Sequence, residues 1–223
     1  MIYSVLLFVE IIILFLLSRA VSKTFSKFMS INLMSFIFSP GIIIHELSHL
    51  FAAAILFVPV GDMEFTPKKS GNGVRLGSIK IAKTDPIRRS MIGFAPVLMG
   101  LAIIIGIVYL FGSNVLFFQN QNPYIFIAVI FVLIYLLFAI SNTMFSSKAD
   151  MEGTAEILIV VFMILGVIYI LGFRPPLAIL DKIFTKALIE LIQKSILFLL
   201  APIIIDLVIL GAIKLFTGSR SRI

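Results

Sequence analysis

The chain has 223 residues, 61% of them hydrophobic and 13% charged, with a mean hydropathy of +1.17 and a net charge of +7. Ordinary soluble domains are about half apolar and about a quarter charged, so this composition excludes them and indicates a polytopic membrane protein. With no cysteine there can be no disulfide, iron–sulfur cluster or thiolate zinc site, and any transition metal must be held by His, Asp or Glu.

Six apolar runs are candidate spans, at about 2–18, 32–59, 91–112, 124–146, 154–173 and 196–216. There is no internal repeat, low-complexity tract or separate soluble domain. The expectation is an all-α polytopic protein forming one membrane-embedded domain over 1–223. It comprises a first helix and basic connector (1–30), a core (31–153) and C-terminal helices (154–223), with a small β-hairpin between helices 2 and 3. The run from Ile2 lacks a basic flank ahead of it, so it reads as a first membrane helix rather than a cleaved signal peptide. After it, Arg19, Lys23 and Lys27 stand four apart, the pattern of a basic helix lying at the membrane surface. Lys182, Lys186, Glu190 and Lys194 suggest a second such connector. The basic residues serve as topology signals and lipid-headgroup contacts, not as a nucleic-acid surface.

The second span carries "GIIIHELSHLFAAAILF", Gly41 to Phe57, with the only two histidines of the chain. On an α-helix His45 and His49 share one face and can hold one ion, while Glu46 is offset and can reach a water beside it. Zinc lowers the pKa of such a water to about 7, and a carboxylate can then take its proton during attack on a carbonyl. The alternative is a set of polar residues satisfied inside a helix bundle. Ionisable groups deep in a bilayer are costly, however, and mark function by default.

Beyond this span, the segment 61–90 places "MEFT" and "VRLGSIKIAK" on either side of "PKKSGNG", and Asn72-Gly73 is a strong turn signal. Its apolar parity slips near Gly77, as at a β-bulge. It reads as a solvent-exposed hairpin or as an edge strand beside an active site. The third span opens on "GFAPVLMG", whose Gly93 and Pro96 permit close packing or a kink. A catalytic zinc usually has three protein ligands and an open position. Candidates for the third are Asp150, Glu152, Asp62, Glu64, Asp85, Asp206 and Glu10. Asp150 is favoured, because the polar run "ISNTMFSSKADMEG" that ends the fourth span could turn it back to the bundle interior. Glu152 is its closest rival. Glu10 and Asp206 lie within other spans and read as inward-facing residues paired in the bundle.

HELSH in an apolar span, a short β-like loop, two further spans and then Asn142 and Asp150 resemble the site-2 protease family of intramembrane zinc metalloproteases. That family carries N-x-x-P-x-x-x-x-D-G around a metal-binding Asp. Asn142 and Asp150 match in identity and spacing. Phe145 stands at the position of the family's Pro and Met151 at that of its Gly, so the chain would be a divergent member. The resemblance covers about residues 40 to 153 and leaves no room for the PDZ domain of many relatives. It implies zinc on His45, His49 and Asp150, with Glu46 as general base, and a transmembrane segment of another protein as substrate. Cleaving a helix requires its local unwinding, and pairing with an edge strand would replace the lost hydrogen bonds. The hairpin, through Ile79 and Ile81, then becomes a substrate clamp, and Asn142 a second group holding substrate backbone.

An N-terminus in the cytoplasm puts eleven of the 18 Lys and Arg residues on that side, seven of them in 61–90. The resemblance gives the same orientation, and the expected residence is the cell membrane. Three other readings compete. A CAAX-processing type of membrane zinc peptidase would use a glutamate ligand, Glu152 or Glu156. A non-proteolytic scaffold with a vestigial metal site would have no need of Glu46. A metal transporter would want ionisable residues along several spans, and Glu10 and Asp206 are too few.

Overall fold

The computed structural model describes residues 2–64, 68–70, 73–75, 78–120, 122–145, 163, 167, 170 and 186–218. Among them, α1 (Ile2–Phe28), α2 (Ile31–Ile55), α3 (Pro86–Ser113), α5 (Pro123–Thr143) and α6 (Lys186–Gly218) are long helices, and α4 (Val115–Gln119) is a short one in the uncharged connector. All five long helices contain stretches long and apolar enough to cross a membrane. The protein is therefore an all-α, multi-pass membrane protein. Four of these stretches match the expected second, third, fourth and sixth spans to within several residues. The expected fifth span, 154–173, lies almost wholly outside the described residues.

The two basic connectors are not separate elements. Residues 2–28 contain neither Gly nor Pro, so nothing interrupts the first helix, which runs for about 40 Å. Val21 and Phe25 from its basic stretch are buried in the bundle rather than lying at a surface. Likewise Lys186, Glu190 and Lys194 form the opening turns of α6, where Glu190 and Lys194 pair at 2.8 Å across one turn.

Helix α2 is the hub: it packs on α3 and on α5, while α6 packs chiefly along α1. The α2–α5 contact is backbone-close. A Cβ at Gly41 would collide with Thr143 Oγ1 and with the Ala139 carbonyl, the small-residue crossing typical of membrane helices. Beside it Phe25, Phe38 and Phe138 form an aromatic cluster with ring centroids 5.5–5.8 Å apart. Prolines inside membrane helices leave carbonyls unbonded one turn back. For Pro40 that carbonyl belongs to Phe36, and Ser39 Oγ donates to it at 2.9 Å. Phe8, Phe36, Phe51, Leu110 and Phe131 remain on the outside, as a lipid-facing surface requires.

Just past α2, Phe57 sits at φ 56° and Val58 N–H donates back to the Ala53 carbonyl at 2.8 Å, a left-handed C-terminal cap. The chain then enters β1 (Val60–Glu64), which pairs antiparallel with β4 (Ser78–Ile81), while β2 (Lys68–Ser70) pairs with β3 (Gly73–Arg75). Two details of the expected hairpin shift. Gly73, half of the Asn72-Gly73 turn signal, is the first residue of β3 and pairs with Ser70. The irregularity falls on β1, where Val60 pairs with Ile81 and Met63 with Ile79, leaving one extra residue on that strand. Gly77, its expected place, lies outside the described residues. Ile81 packs on the cluster of Ala53, Val58 and Ile92, which roots the hairpin at the end of α2.

Helix α3 begins at the Asp85 cap, whose Oδ1 accepts the Arg88 N–H at 2.9 Å. That bond holds the Asp85 carboxyl below its usual pKa. A depressed carboxylate stabilises the fold above its unfolded value and loses the contribution as pH falls through the folded value. Asp85→Ala is therefore expected to lower the melting temperature in detergent at pH 7, with the gap closing below about pH 4. At the α2–α5 crossing, Gly41→Leu should cost about 1–3 kcal/mol of stability by overpacking, read as a lowered melting temperature; an unchanged one would contradict the close contact.

Candidate metal centre

Helical spacing brings the two histidines together on α2. Their ring centroids are 4.8 Å apart at an interplanar angle of 85°, and His45 Nε2 stands 3.2 Å from His49 Nε2. Both side chains and that of Glu46 are buried. His49 Nδ1 lies 2.8 Å from the backbone carbonyl of Ile92 on α3. A carbonyl only accepts, so Nδ1 carries the proton, and in the neutral ring Nε2 is left with its lone pair directed at His45.

This donor set fits a transition-metal ion at two positions. Imidazole nitrogens about 2.0–2.1 Å from one tetrahedral ion stand about 3.3 Å apart, close to the observed spacing. A metal-binding histidine also characteristically donates its other N–H to a carbonyl or carboxylate, as His49 does. A proton shared between the rings suits the same spacing. No group of three potential ligands occurs among the described residues. Asp150, expected as the third, and its rivals Glu152 and Glu156 lie outside them.

The other candidates go to different places. Asp62 pairs with Lys80 at 2.9 Å on the exposed hairpin, which keeps its carboxyl below the ordinary value. Asp85 is the α3 cap. Glu10 is buried in α1, as an inward-facing residue should be, but its Oε2 finds no hydrogen-bond partner among the described residues. Asp206 is fully buried and does find one: Asn142 Nδ2 donates to Asp206 Oδ1 at 2.7 Å and to the Phe138 carbonyl at 2.9 Å. Both amide hydrogens are thereby used. The reverse amide orientation would set oxygen against that carbonyl, so Asn142 Oδ1 is the atom left over, buried and without a hydrogen-bond partner among the described residues. Sequence reasoning separated these two residues, one as a substrate contact and the other as a bundle residue. They stand sixty-four positions apart, and no local signal pairs them. Ile79 and Ile81 are both partly buried, Ile81 with its side chain turned onto the root cluster. Any substrate pairing there would use the β4 backbone.

No protein-family profile, curated protein or solved structure matches the chain.

Breaking the α5–α6 tie leaves one buried partner unmatched. Asp206→Ala is expected to destabilise the protein by about 1–3 kcal/mol. The double variant Asn142→Ala/Asp206→Ala should be less destabilised than the sum of its singles, with a coupling of about 0.5–3 kcal/mol. Strict additivity in thermal or denaturant unfolding would refute the contact.

Proposed function

We propose that the chain is an intramembrane zinc metalloendopeptidase of the site-2 protease kind, cleaving a transmembrane segment of other membrane proteins. The observation that carries this reading is the convergence of His45 and His49 beside buried Glu46, within a helix long enough to cross a bilayer. Burying a carboxylate and two imidazoles is costly, and hydrolytic chemistry accounts for all three.

His45 and His49 would hold the zinc, with Asp150 as third ligand. When bound, zinc supplies a Lewis acid that polarises a substrate carbonyl and makes a coordinated water acidic near neutral pH. Glu46 accepts the proton of the attacking water as its oxygen bonds to the scissile carbonyl carbon. It then returns that proton to the amide nitrogen as the C–N bond breaks. The outer edge of β4, around Ile79 and Ile81, pairs with the unwound substrate backbone. Asn142, with its N–H groups occupied, offers its oxygen to a substrate N–H. In this reading the protein resides in the cell membrane with loop 61–90, which carries seven Lys and Arg, and the active centre toward the cytoplasm.

The test is proteolysis of a set of single-span reporter proteins co-reconstituted with the full chain, alongside metal analysis. Glu46→Gln should keep about one zinc per chain and cleave nothing, whereas His45→Ala and His49→Ala should lose both zinc and cleavage. Asp150→Ala should weaken zinc binding. Zinc kept by Asp150→Ala but lost by Glu152→Ala would move the chain to the CAAX-processing type. Ile79→Pro removes a ladder N–H from β4 and should slow cleavage with zinc retained; unchanged cleavage would end the clamp role. Wild-type protein that binds no supplied zinc would leave the scaffold reading in its place.

A further inference from the structure

Helix α3 contains Pro96, fully buried and four residues after Ile92. Proline has no N–H, so the i→i−4 bond that would end on the Ile92 carbonyl cannot form. A buried backbone carbonyl without a donor is costly. The donor here is the His49 ring, at 2.8 Å through Nδ1. Two features that look unrelated in sequence, a proline inside a membrane helix and the second histidine of HELSH, thus meet in one hydrogen bond between α3 and α2.

We propose that Pro96 is a positioning residue for His49: by removing the helical donor it reserves the Ile92 carbonyl for Nδ1–H, which fixes the ring's tautomer and directs the Nε2 lone pair toward His45. An ordinary residue at 96 would bring an N–H that competes for the same acceptor. His49 would then lose its fixed partner and exchange between tautomers, one of which puts a proton where a metal must bind. Pro40 and Pro202 are also internal to membrane helices, but the carbonyl freed by Pro40 is served by a serine, and neither proline is tied to a histidine. Only the role assigned to Pro96 as an aid to metal binding depends on the zinc reading; its hold on His49 does not.

The chain's two histidines make this directly observable. The full-length protein, 15N-labelled at histidine and stripped of metal, is examined in detergent, with His45→Asn identifying the His49 signals. Wild type is expected to show His49 protonated at Nδ1 and bare at Nε2. Pro96→Ala should shift His49 toward the Nε2–H tautomer and, in competition against a chelator, weaken zinc binding roughly 10–100-fold. Pro202→Ala, which restores an N–H on α6, a helix without a histidine, should leave both readouts as in wild type. A wild-type His49 protonated at Nε2 would overturn the proposal, as would a Pro96→Ala protein matching wild type in tautomer. Should Pro96→Ala fail to fold, the wild-type protein decides the matter. With 13C-carbonyl isoleucine, His49 Nδ1 must show a contact that disappears in Ile92→Val, and its absence refutes the bond. Correct tautomers in a wild-type protein that takes up no zinc would sink the metal reading and leave the positioning role standing.

Discussion

Polar atoms in a membrane helix bundle have little water to fall back on, so leaving one unmet is costly. This constraint organises the molecule. His49 is anchored by the Ile92 carbonyl, Asn142 by Asp206 and the Phe138 carbonyl, and the carbonyl freed by Pro40 by Ser39. The helix contacts follow from these requirements: α2 must lie against α3 for the first bond, and α5 against α6 for the second. Gly41 allows α2 to come close enough to α5 to complete the arrangement. Apolar packing fills the remaining volume. The hydrophobic effect sets little of the specificity, because lipid tails are as apolar as the side chains they replace.

The hairpin belongs to the same logic at the end of α2. Phe57 adopts a left-handed conformation so that the helix can end and the chain reverse. Ile81 then returns to the cluster of Ala53, Val58 and Ile92, one helical turn past His49. Ile92 therefore serves twice, with its side chain supporting the hairpin and its carbonyl holding a candidate ligand. Strand position and ring orientation are linked through a single residue of α3.

Much of this was legible in the amino-acid order, because membrane spans and i,i+4 pairs are local patterns. The spans of α2, α3 and α5 and the shared face of His45 and His49 follow from hydropathy and helical period. The length of α1 did not, since the basic stretch from Arg19 to Lys27 resembles a surface helix unless the absence of Gly and Pro is weighed first. The hairpin was recognisable, but Gly73, read as part of a turn signal, belongs to β3, because Gly71, Asn72 and Gly73 all favour turns. The Asn142–Asp206 pair joins residues far apart in the chain, and no local pattern announces it. Pro96 was visible as a proline in an apolar run, yet what it liberates depends on which side chain faces Ile92, and only packing decides that.

The central claim is that His45 and His49 converge to hold a metal rather than to share a proton. X-ray absorption at the zinc K-edge, on purified full-length protein supplied with zinc and washed, tests it most directly. The account predicts about one zinc per chain with two imidazole nitrogens at about 2.0–2.1 Å, and loss of the imidazole signature in His49→Ala. A wild-type protein that retains no zinc, or one whose bound zinc shows no imidazole scattering, would contradict it.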